Sequence, residues 1–169
     1  LTKSVVPKKL GLTGIVTLKR NQKIYYSEPV GSHPKIKKRM CELVHNTLLE
    51  SKLPKNDTTL IVIGHGSIYN PQSEIGTRSI ANQLDSLKLS SKVIPLFLEQ
   101  TPNLANWSTL CETTNAIVLG YFFSGGSHET KDIPHLMGFS PVNTRDRFTK
   151  NQSIGPIHAA GKQLWLCPL

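Results

Sequence analysis

The run Leu60-Ile61-Val62-Ile63, closed by Gly64-His65-Gly66-Ser67, constrains this chain more than any other stretch. Four apolar residues rich in β-branched types predict a buried strand, and the two glycines end it. In open α/β sheets the carboxyl ends of the strands face the crevice where ligands bind. A histidine set between glycines at such an end is placed for chemistry; the plainer reading is a glycine turn that happens to contain a histidine. Glycine allows the sharp turn and keeps side chains away from whatever His65 touches.

The rest of the pattern builds around that strand. Lys23–Ser27 reads as a short strand, and residues 1–20 carry no clear element. Ser32 can cap a helix whose first turn holds Pro34, with Ile36, Met40, Leu43, Val44 and Leu48 on one face through Glu50. Leu53–Asp57 has the composition of a linker. After the strand at 59–63, Ile80, Leu84 and Leu87 line a helix over 74–88, and Val93–Leu98 forms a second strand ending at Glu99. Pro95 weighs against a central position for it. Thr101-Pro102 opens a helix carrying Leu104, Trp107 and Cys111. Ala116–Phe123 is a third strand leading into Ser124-Gly125-Gly126-Ser127-His128, and a short helix with Ile133 and Leu136 starts near Thr130. Residues 140–160 read as an irregular surface loop, and Gln163–Cys167 as a fourth strand.

Strand and helix thus alternate from residue 59 onward. This predicts an α/β fold, a mainly parallel four-stranded sheet flanked by helices in three layers, plus an N-terminal strand-helix segment. In such a sheet His65, Glu99 and His128 come to one edge. Two imidazoles and a carboxylate suit a divalent transition metal with positions left open for a substrate, and the imidazoles can equally act as bases.

Composition narrows the classes. The net charge of +9 is confined to residues 1–55, which hold twelve Lys and Arg against three acids; the remainder is balanced. A basic face of this kind can steer an anionic partner, or can simply be a solvated helix face. Nucleic acid is not expected, because no aromatic-interleaved RNA motif or zinc-finger spacing occurs. Cys41, Cys111 and Cys167 form no CxxC pair, and buried thiols suit a cytoplasmic protein. No run reaches the roughly 18 apolar residues of a membrane helix. The absence of an initiator methionine suggests a piece of something longer. Neither GxSxG, GxGxxG nor GxxxxGK[ST] occurs, and no arginine precedes His65 as in histidine phosphatases.

Taken together, Ile63-Gly64-His65-Gly66-Ser67 with Asn70-Pro71, Pro95-Leu96-Phe97-Leu98-Glu99, and Phe122-Phe123-Ser124-Gly125-Gly126-Ser127-His128 with Asp132-Ile133-Pro134 closely resemble the small cobaltochelatase and sirohydrochlorin chelatase family, class II chelatases of the ferrochelatase-like superfamily. The resemblance covers 59–137. It implies a chelatase-like lyase that inserts a divalent metal, cobalt first and Ni²⁺ or Fe²⁺ otherwise, into a tetrapyrrole such as sirohydrochlorin, in cobalamin or siroheme biosynthesis. No organic cofactor is implied. His65 and His128 match the paired active-site histidines and Glu99 the acidic residue, so these three are expected to serve as metal ligands and catalytic groups. One imidazole would hold the metal while the other takes pyrrole protons, and the sequence does not say which. Ser67, Ser124 and Ser127, with backbone N–H groups near the glycine turns, are expected to bind substrate carboxylates.

The resemblance also bears on organisation. Glu28-Pro29-Val30-Gly31-Ser32-His33-Pro34 looks like the closing turn of a lobe but precedes the His65 lobe, and Lys162–Leu169 resembles Lys23–Val30. Residues 1–55 are therefore expected to be the closing part of a preceding lobe, with 57–169 a lobe lacking its own final helix. A permuted single lobe is the alternative. A second lobe or homodimer partner is expected to complete the enclosure of the macrocycle. Tyr69, Asn70, His33, His45, His135, His158 and Asp132 are expected to serve in turns, caps and on the surface. Two other functions fit the same residues: a non-catalytic metal or tetrapyrrole carrier, and a basic nucleic-acid module.

Overall fold

The computed structural model describes residues 33–69, 71–121, 131–140 and 152–167, and the backbone of two short strands, β1 (Val16–Thr17) and β2 (Lys23–Ile24), paired antiparallel. From residue 33 onward the elements are α1 (Pro34–Glu50), β3 (Thr58–Gly64), α2 (Gln72–Asp85), β4 (Lys92–Phe97), α3 (Trp107–Leu110), β5 (Asn115–Gly120), α4 (Ile133–Met137), β6 (Ile154–Ala159) and β7 (Lys162–Cys167). The large sheet has the order β4-β3-β5-β7-β6, with the first four strands parallel and β6 antiparallel to β7.

Every residue of β3 and β5 is buried, as a strand covered on both faces requires. Alternate side chains go to opposite layers. Leu60, Val62, Ile117, Leu119, Trp165 and Cys167 meet Met40, Leu43 and Val44 of α1 and Ile80, Ala81 and Leu84 of α2. Ile61, Ile63, Ala116, Val118, Leu164 and Leu166 meet Leu104, Trp107, Ile133 and Met137 on the other side. The expected three-layer α/β arrangement is present, with α1 in the same core as the sheet.

Several local expectations are corrected. The loop expected over 140–160 contains β6. Its turn, Ala160-Gly161, takes two positive φ angles of 48° and 72°, the geometry of a two-residue hairpin. Among the described residues the sheet therefore has five strands. Helix α2 ends at Asp85, which leaves Leu87 in the following turn and exposed rather than on the inner face. The helix expected from Thr101-Pro102 is a 3₁₀ turn, Leu104–Asn106, followed by only four α-helical residues. The residue capping α1 is His33, whose Nδ1 accepts the Lys35 N–H at 3.2 Å; Ser32 lies outside the described residues. Asp132 occupies the N-cap position of α4, but its side chain makes no capping bond. Among the described residues, no helix is long and apolar enough to cross a membrane.

Candidate functional site

Strand order reverses at β3: the chain crosses from β3 to β4 on one side and then to β5 on the other. Such a reversal opens a crevice at the carboxyl ends of the strands. His65 follows β3 there. Glu99 follows β4 on the adjoining strand, because the parallel ladder continues past both strand ends: the Leu98 and Glu99 N–H groups donate to the His65 carbonyl at 3.2 and 3.0 Å. This brings the Glu99 carboxylate within 3.5 Å of His65 Nδ1. The two side chains remain 41% and 59% exposed, so the pair is open to a ligand and not packed shut.

The His65 ring is oriented by its own turn. Nδ1 lies 2.9 Å from the Gly66 carbonyl, an oxygen that can only accept. Nδ1 therefore carries the proton of the neutral ring, and the lone pair belongs to Nε2. When the ring takes a second proton, Glu99 becomes its ion-pair partner.

Two glycines make this arrangement possible. A Cβ on Gly64 would stand 2.1 Å from Thr77 Oγ1, so the absence of a side chain lets α2 close onto the end of β3. Gly66 has φ +75°, a left-handed conformation that other residues resist.

A bracket that the sequence did not reveal holds the turn. Gln100 Oε1 accepts the Ser67 N–H at 2.8 Å, and the Gln100 side chain also hydrogen-bonds the Glu74 carboxylate. Arg78 donates through Nε to Glu74 at 2.7 Å and places its guanidinium over the Phe97 ring, 5.4 Å from the centroid. The Arg78 hydrogen bond, then that of Gln100, holds the Glu74 carboxyl below its ordinary value. Ser73 Oγ accepts the Gly66 N–H at 3.2 Å. The first turns of α2 and the residue after Glu99 thus fix the His65 turn from two sides. No periodicity announces Gln100; its only sequence signal is adjacency to Glu99.

Of the other expected site residues, Ser67 uses Oγ to accept the Tyr69 N–H at 3.2 Å and so shapes the turn. Ser124, Ser127 and His128 lie outside the described residues, as does Asn70. Tyr121, the last described residue before 122–130, donates its N–H to the Ile63 carbonyl at 2.7 Å, beside the His65 turn. The Tyr121 ring faces Gly76 of α2, and burial raises its phenol, which stays protonated at neutral pH. Among the described residues no group of three potential metal ligands occurs; His65 and Glu99 supply two. His135 and His158 are both exposed, and β6, which carries His158, is the edge strand opposite β4.

Comparison with known proteins bears on the family and the fold. The CbiX family model matches residues 59–160. A probable sirohydrochlorin cobaltochelatase of Halobacterium salinarum is 25% identical over 111 residues, covering 66% of this chain and 38% of that protein. The structure of CbiX, described as the terminal enzyme for biosynthesis of siroheme in denitrifying bacteria, superposes with a TM-score of 0.62 at 26% identity, over 80% of this chain and 56% of that one. A multi-domain protein of Deinococcus radiodurans with structural similarity to chelatases shares the fold, with a TM-score of 0.62 at 18% identity over 99% of this chain and 34% of its own. The chain thus spans roughly two fifths to three fifths of the length of the first two relatives. With a model match over more than half its residues and the His65 turn and Glu99 inside the matched region, this chain belongs to the CbiX family.

Proposed function

We propose that this chain is a class II chelatase that inserts a divalent metal, cobalt by preference, into sirohydrochlorin. The observation that carries the reading is the pairing of His65 with Glu99 at the strand-order reversal, 3.5 Å apart and open to a ligand, within the region matched by the CbiX family. The Halobacterium relative supports cobalt, whereas the denitrifiers' CbiX is tied to siroheme.

The reaction exchanges M²⁺ for two pyrrole N–H protons, which leave as the metal becomes bound to the ring nitrogens. His65 is suited to the first half. With Nδ1 donating to Gly66 O, Nε2 is directed to the metal or to a departing proton, and Glu99 is placed to balance the charge either event brings. His128 is proposed as the second imidazole, on the segment that leaves β5 at Tyr121, and Ser67, Ser124 and Ser127 as carboxylate contacts. The N-terminal segment is proposed to serve as the closing helix of this lobe, since α1 packs in its core. A second lobe or second copy is proposed to cover the macrocycle.

The test is optical. Sirohydrochlorin mixed with Co²⁺ changes its absorption bands as the metal enters. The protein should accelerate that change over many turnovers, and His65→Ala or His128→Ala should each lower the rate by about 100-fold, the range for loss of a positioned acid-base group. Stoichiometric metal uptake without turnover would instead favour the carrier reading, and wild-type rates equal to the protein-free reaction would defeat the enzyme.

A further inference from the structure

The strongest charge on the described surface is the run Lys35, Lys37, Lys38 and Arg39 in the first turns of α1. Among the described residues Glu42 is the carboxylate paired with it, at 3.9 Å from Lys38 and 4.0 Å from Arg39, the outer limit of an ion pair. Lys38 is 79% exposed. Four cations against one carboxylate leave this helix end strongly positive.

The fold puts that end at the sheet edge that carries His65 and Glu99. Helix α1 packs on β7 and β5, and β5 is the immediate neighbour of β3. Thr47, in the last turn of α1, lies 3.3 Å from Cys167, the final residue of β7. Cys167 pairs with Leu119 and Leu119 with Val62, so the carboxyl edge at Gly64 is two residues, about 7 Å, beyond it. From its last turn the chain passes through residues 51–57 to the amino end of β3, so α1 runs antiparallel to the strands. Its residues 34–39 then lie about 12 to 20 Å up the helix axis from Thr47. Those turns therefore lie beyond the level of Cys167, towards the carboxyl edge and on the β5–β7 side of the sheet.

Resting on the chelatase reading, we propose that Lys35, Lys37, Lys38 and Arg39 form a docking face for the peripheral carboxylates of the tetrapyrrole, distinct from the metal-handling pair. The complementarity is one of charge. Sirohydrochlorin is a flat ring bordered by acetate and propionate arms, and arms reaching beyond the crevice on the α1 side would meet these cations. Ammonium and guanidinium groups on flexible stems can follow carboxylates at several positions, and a field of one sign beside a cleft raises the local concentration of an anionic ligand.

The test compares wild type with the triple variant Lys35→Gln, Lys37→Gln, Lys38→Gln, whose substitutions keep helix propensity. At low salt, KM for sirohydrochlorin should rise about tenfold, while the rate at saturating substrate and the affinity for Co²⁺ alone are retained. Raising the salt should weaken wild-type binding much more than that of the variant. Sirohydrochlorin with its carboxyl groups methylated should be bound equally by both. An unchanged KM in the variant, with wild type still inserting metal, overturns this proposal alone. Wild type that neither binds sirohydrochlorin nor inserts metal overturns the chelatase reading and this face with it. Retention of duplex DNA in preference to sirohydrochlorin, lost in the triple variant, reassigns the face to nucleic acid and overturns the proposal as well.

Discussion

At the scale of single residues, the site depends on how tightly the His65 turn is held. Gly64 is the sharpest case, because its missing side chain is the space that Thr77 Oγ1 occupies. Gly64→Ala should cost about 1–3 kcal/mol of stability, the usual range for overpacking a closed core, read as a lower urea midpoint. Adding Thr77→Ala, which removes the nearest clashing atom, should recover part of that loss. Gln100 makes a different case. Gln100→Ala removes the acceptor for the Ser67 N–H and a partner of Glu74, and one such bond contributes about 1 kcal/mol. Stability should therefore fall only modestly, while Co²⁺ binding at His65 weakens several-fold because the turn loses its preset shape. Equal Co²⁺ affinity in Gln100→Ala and wild type would remove Gln100 from any positioning role.

At the scale of elements, the parts legible in the sequence are those where one physical signal dominates. The β-branched runs of β3 and β5 sit in the sheet interior, and the apolar stripe of α1 is the face it buries. Pro95 was a warning that the fold resolves by position: β4 is an edge strand, so a missing N–H is tolerated there. β6 stayed hidden because its alternation is broken. Register shifts between Ile154 and Ile157, and Gly155 lies against the Trp165 ring, where a Cβ would come within 2.5 Å of it. A bulged edge strand keeps no period to read. The end of α2 is obscured for a related reason, since Leu87 continues the apolar spacing although the helix has stopped. The seam between α1 and β7 gives a prediction of its own. Burial pushes the Cys167 thiol up to about 12, against 9.0 for an ordinary thiol. A group whose value is raised by folding supports stability below its unfolded value and loses that support as pH rises towards the folded one. Between pH 9 and 12 the wild type should lose up to about 1 kcal/mol per pH unit from this thiol. Its urea midpoint should therefore fall more steeply over that window than that of Cys167→Ala, and parallel slopes would contradict the buried seam.

For the whole molecule, topology does what no local pattern can. Placing β4 and β5 on opposite sides of β3 creates the crevice, and parallel strands bring His65 and Glu99 to the same end of it. Alternation of strands and helices was enough to anticipate that edge, and the glycine-flanked histidine was enough to mark it. The Gln100–Glu74–Arg78 bracket was not legible, because it joins residues far apart in sequence through side chains that suit many surface positions. The basic bias of residues 1–55 is visible as composition, whereas the placement of its α1 cations follows only from how α1 packs on β5 and β7. The central claim is that His65 and Glu99 act on one metal ion. It is tested most directly by titrating Co²⁺ into wild type, His65→Ala, Glu99→Ala and the double variant, following the visible bands of bound cobalt. A single metal-handling unit, with the metal at Nε2 and Glu99 facing Nδ1, predicts non-additive losses, with a coupling of about 1 kcal/mol or more; losses that simply add would show that the two side chains do not serve a common site.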